Sequence, residues 1–135
     1  MEQLYQDKSP YKSRGERYIA DFLEDSDIDF QYEYPLAIKD RDQVRIWYPD
    51  FTLPEYNMII EYFGMNRDPG YKQQMAHKLF TYKEAGIDGI YLTESSLSGN
   101  WQEQVLGRIE GRLEGKLQKI RSINNRKMYT ASART

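Results

Sequence analysis

Asp50 and Glu61 are the two residues best placed by type and spacing to do chemistry together. Asp50 stands in Tyr48-Pro49-Asp50-Phe51, and Glu61 in Ile59-Ile60-Glu61-Tyr62. Both runs are rich in aromatic and β-branched residues, which favour strands. If residues 54–57 form the loop of a hairpin, Leu53 faces Met58 and Asp50 falls directly opposite Glu61. Cβ atoms so paired lie about 4.5–5.5 Å apart, and like charges there repel. A divalent cation between them would turn that repulsion into binding. The other reading of the spacing is a shifted register, with each acid facing solvent on an open sheet face.

Further polar residues bear on the same region. Glu16 precedes Ile19 by three residues and Leu23 by seven, so it flanks a helical apolar stripe. It can act as a third carboxylate. It can equally close a capping box with Ser13, and the two roles are compatible. His77 is the single histidine, so multi-histidine metal sites are excluded. It reads as a surface helix residue within reach of a phosphate. With no cysteine, the chain has no disulfide, thiolate zinc site or cysteine nucleophile. A resident metal would therefore bind oxygen, which favours magnesium, manganese or calcium.

The elements that must position these residues follow from periodicity. Residues 1–12 are polar and read as a loose arm. Ser13 caps a helix over residues 14–25, with Tyr18, Ile19, Phe22 and Leu23 in helical phase. Residues 30–34 alternate before Pro35, as a strand does. Lys39-Asp40-Arg41-Asp42 is a charged turn. Residues 45–53 read as one strand and 58–63 as the next, with Ile59-Ile60 buried on both faces and Gly64 ending it. Asp68-Pro69-Gly70 is a turn, and residues 71–85 are helical up to Gly86. A strand over 87–92 and a long helix over 100–122 complete the order. Gly107, Gly111 and Gly115 line one face of that last helix and either admit close backbone packing or leave it pliable. The expected class is a mixed α/β (α+β) layer, with a mixed central sheet flanked by helices.

The chain has 135 residues, enough for one core. Its net charge of −2 conceals an asymmetry: residues 1–65 carry 14 acids against 7 bases. Beyond Gly115 come Lys116, Lys119, Arg121, Arg126, Lys127 and Arg134 with no acid. Such a segment suits a polyanion. Bases also favour any solvated helix C-terminus, so both readings stand. No apolar run spans a membrane, and the first residues lack a signal-peptide pattern.

Tyr48-Pro49-Asp50-Phe51-Thr52-Leu53-Pro54 followed by Ile59-Ile60-Glu61-Tyr62-Phe63-Gly64 resembles the core of the PD-(D/E)XK nuclease superfamily. Pro49-Asp50 matches its first element and Glu61 its second acid. The preceding helix with Glu16 matches too, as does the helix and strand after Gly64. The resemblance covers about residues 13–95. It implies a restriction-endonuclease-like αβββαβ core, here with an added C-terminal helix, as a nuclease-like domain over 13–123 and a flexible basic tail over 124–135. It implies a Mg2+- or Mn2+-dependent endonuclease acting on DNA, cytoplasmic and homodimeric, and the chain's size favours a phage or mobile-element enzyme. Asp50, Glu61 and the Tyr62 backbone carbonyl would hold the metal, with Glu16 helping directly or through water. Lys116, Lys119, Arg121, Arg126 and Lys127 would bind DNA phosphates.

One position departs from the pattern. Phe63 stands where the superfamily places a lysine. In members with a similar Glu-Tyr-Phe-Gly segment, a lysine from the next helix is thought to replace it. Lys78, at the edge of the Tyr71, Met75 and Tyr82 stripe, is the preferred candidate, with Lys72 and Lys83 as alternatives. The departure also leaves open a non-cleaving module of the same fold that binds DNA or protein.

Overall fold

The computed structural model describes residues 9–64 and 69–134, the side chains at 69, 116 and 125–134 excepted. By contact the chain forms two units, residues 1–99 and residues 100–135. The division falls inside the expected 13–123 domain.

The first unit opens with α1 (Arg14–Asp25). The Ser13 hydroxyl accepts from the Glu16 N–H at 3.1 Å and donates to Glu16 Oε1 at 3.1 Å, so the cap also fixes the carboxylate. The helix buries Ile19, Ala20, Phe22 and Leu23. Residues 1–8 of the expected loose arm lie outside the described residues. Tyr11 and Lys12 are not loose. The Tyr11 ring meets Tyr32 edge-on at 4.8 Å, and Lys12 pairs with Glu33 at 2.7 Å.

Among the described residues, six strands follow in two sheets: β1 (Gln31–Tyr32), β2 (Leu36–Asp40), β3 (Gln43–Trp47), β4 (Phe51–Leu53), β5 (Met58–Tyr62) and β6 (Asp88–Leu92). The main sheet has the order β1-β4-β5-β6, antiparallel except for the parallel β5–β6 pair. Between β5 and β6 runs α2 (Pro69–Glu84). Phe51 pairs with Ile60 and Leu53 with Met58, the register read from the four-residue loop. β5 is buried from Met58 to Glu61, which agrees with its unbroken apolar run.

The expected single strand over residues 45–53 is in fact two. Pro49 lacks an N–H and cannot continue a ladder, so β3 stops before it and β4 starts after it. β3 pairs instead with β2 in a separate hairpin, turned by Arg41 and Asp42 at φ 51° and 65°. Its inner face seats Ile38 against Ile59 and Tyr82. Here His77 departs from the surface reading: its Nε2 lies 2.9 Å from Asp40 Oδ1, and its ring faces Trp47 at 6.2 Å. The hairpin is thus held to α2.

The second unit is α3 (Trp101–Arg134). The helix continues past residue 122 to Arg134. At Gly107, Gly111 and Gly115 an added Cβ would meet open space among the described residues. No described helix is long and apolar enough to cross a membrane.

Candidate metal centre

Four acids gather where α1, the end of β1, the start of β4 and the end of β5 meet. Ligand oxygens of Glu16, Glu33 and Asp50 lie within 4.8 Å of one another. Glu16 is buried, held by Ser13 and by the Tyr32 hydroxyl, which donates to its Oε2 at 3.2 Å. The approach of α1 depends on Gly15: a Cβ there would overlap the Tyr62 ring. The glycine therefore lets the first turn of α1 press on the sheet and deliver Glu16.

Glu33 was not foreseen. By alternation it belongs to a strand, but its φ of 51° ends β1 and turns the chain toward the hairpin. A left-handed glutamate costs on the order of 1 kcal/mol or more. Its N–H donates to the Asp50 carbonyl at 3.1 Å, and Lys12 balances its carboxylate. The only sequence signal was a charge in an otherwise aromatic run before Pro35; nothing marks a glutamate for positive φ.

Asp50 and Glu61 interlock through backbone N–H groups. The Asp50 N–H donates to Glu61 Oε1 at 2.9 Å, and the Tyr62 N–H donates to Asp50 Oδ2 at 2.7 Å. The predicted juxtaposition is present, but its form differs from a cation held between two bare carboxylates. Glu61 is buried and is not one of the three acids whose ligand oxygens converge. Its Oε2 meets Lys78 Nζ at 3.2 Å, and the Tyr82 hydroxyl reaches Oε1 at 3.5 Å. At Tyr62 the backbone N–H meets the site through Asp50.

Burial first, then the charge of Glu61, pushes the Asp50 carboxyl up to about 7, and a hydrogen bond with the Glu16 carboxyl adds to the effect. Burial likewise raises the Tyr32 and Tyr82 phenols, so both remain donors to the carboxylates.

Lys78 is the lysine of α2 that reaches this region. Its ammonium bonds Glu61 and lies 6.0 Å from the Phe63 ring centroid. Phe63 is itself stacked on Tyr91 at 6.0 Å, and its carbonyl accepts from the Tyr71 hydroxyl. Lys72 and Lys83 are exposed on the same helix. Lys119 and Arg121 are exposed on α3, while the side chains of Lys116, Arg126 and Lys127 lie outside the described residues.

The donor set fits a hard divalent cation. It offers only oxygen, it concentrates negative charge beyond what Lys12 and Lys78 offset, and a cation there would relieve the burial and charge repulsion that raise Asp50. Comparison with family models, with curated proteins and with solved structures gave no match.

Proposed function

We propose that this chain is a metal-dependent deoxyribonuclease that hydrolyses phosphodiester bonds. The observation that carries the reading is the convergence of Glu16, Glu33 and Asp50, with the Glu61–Lys78 pair bonded directly to the Asp50 backbone. The element order supports it, because helix, antiparallel strands, helix and parallel strand agree with the order that the resemblance to PD-(D/E)XK nucleases implies.

Glu16, Glu33 and Asp50 would hold magnesium or manganese. Bound there, the metal would lower the pKa of a water and offset charge on the scissile phosphate. The chain's own residues set up that event. Tyr32 and Ser13 fix the Glu16 carboxylate, and the Tyr62 N–H fixes Asp50. Glu61 anchors the Lys78 ammonium beside the cluster, where it can orient the attacking water or meet the phosphate oxygens. Lys78 would thus replace the lysine absent at Phe63. Bases of α3, Lys119 and Arg121 among them, would add sequence-independent phosphate contacts.

The test is cleavage of supercoiled plasmid, branched duplex and single-stranded DNA with magnesium, with manganese and with chelator. Metal-dependent nicking that disappears in Asp50→Asn supports the reading. DNA binding without cleavage under every metal condition would instead support a non-cleaving module, which the loss of lysine at Phe63 favours.

A further inference from the structure

The final helix carries an apolar seam that the metal site does not use. Leu113, Leu117 and Ile120 are 41%, 43% and 53% exposed, at the alternating four- and three-residue spacing of a coiled-coil seam. Asn124 takes the next seam position and is exposed. Glu114 and Arg121 are also exposed, and both fall on the same flank of the seam.

That charge order selects the partner. In an antiparallel pair of identical helices, like flanks face each other and the sequence direction reverses. With Leu117 packed beside Ile120 of the second copy, Glu114 of each helix approaches Arg121 of the other, offset by only about 3 Å along the axis. The layers are then Leu117 against Ile120, twice, closed at each end by Leu113 against Asn124. Two ion pairs border them. A two-fold axis generates every one of these contacts from a single self-complementary patch. In a parallel pair opposite flanks meet, and Glu114 and Arg121 do not face each other.

We infer that α3 pairs with α3 of a second copy of this chain, antiparallel, through Leu113, Leu117 and Ile120. The seam covers about two heptads, which is short for a coiled coil, so the pair is weak and concentration-dependent.

Sedimentation of the full chain across about 5–500 µM tests this, with far-UV circular dichroism confirming helix content in each variant. Wild type should pass from monomer to dimer within that range. Leu117→Glu should weaken association at least ~30-fold, since it places a carboxylate in the seam twice. Glu114→Lys should weaken it about fivefold, and Glu114→Lys combined with Arg121→Glu should restore it. A chain that stays monomeric throughout would overturn the inference. So would a dimer indifferent to Leu117→Glu, or a charge swap that fails to restore association. None of these readouts depends on nuclease activity.

Discussion

Asp50→Asn converts the most perturbed acid of the cluster into a neutral group of the same shape. In the metal-free fold, burial, the Glu61 charge and the Glu16 carboxyl raise Asp50 from its ordinary 3.8 to about 7. The folded state therefore holds the proton more tightly than the unfolded chain. The stability tied to that proton is complete below pH 3.8 and is lost as pH rises through about 7. A displacement of about 3 pH units is worth about 4 kcal/mol at pH 8. Asparagine never ionises and keeps an oxygen for the Tyr62 N–H, but it gives up a charge-assisted hydrogen bond of about 1–2 kcal/mol. The variant should therefore be more stable than wild type at pH 8 by about 2 kcal/mol, or about 5–10 °C in Tm for a chain of this size. Thermal melts in EDTA at pH 8 and pH 4.5 measure it. The advantage should vanish at pH 4.5. Magnesium should raise the wild-type Tm in proportion to the logarithm of its concentration and leave the variant unmoved. A variant no more stable than wild type at pH 8, or equally favoured at both pH values, would refute the reasoning.

Three further expectations follow from the same geometry. Lys78→Met should lower the rate of DNA cleavage by ~100-fold while metal affinity survives, and Lys72→Ala and Lys83→Ala should stay near wild type; single-turnover cleavage ranks the three. Gly15→Ala should push α1 off the Tyr62 ring, lowering Tm and weakening metal binding together, because a Cβ has no space there; a variant unchanged in both would show that α1 need not approach so closely. Glu33→Gln should weaken manganese binding ~10–100-fold and leave the fold intact, measured by calorimetry, since it removes one of three converging carboxylates.

Some elements of the fold are legible in the sequence and others are not. The bounds of α1 were legible because Ser13, Glu16 and the Ile19–Leu23 stripe all agree on them. The β4–β5 register was legible because a four-residue loop and an unbroken buried run leave little choice. The β2–β3 hairpin was not. Its charged turn at Arg41-Asp42 was visible, but Leu36 to Asp40 has too few strand formers to announce a strand, and the aromatic run around Pro49 disguised a break. Asp50, Glu61 and Lys78 come together in space, yet the convergent group of carboxylates is Glu16, Glu33 and Asp50. Glu33 depends on a left-handed backbone that local sequence does not encode for glutamate; the contacts of Lys12 and Asp50 impose it. The final helix outran its expected end because its weak residues, the three glycines, lie well before residue 122 and nothing after them stops a helix.

The central claim is that Glu16, Glu33 and Asp50 hold one divalent cation. Manganese titration followed by the paramagnetic resonance signal of the free ion tests it most directly. Wild type should show one saturable site per chain, competed by magnesium, and Asp50→Asn should abolish it with the fold retained. A wild-type chain that leaves all manganese free, or an Asp50→Asn chain that binds it as tightly as wild type, would contradict it.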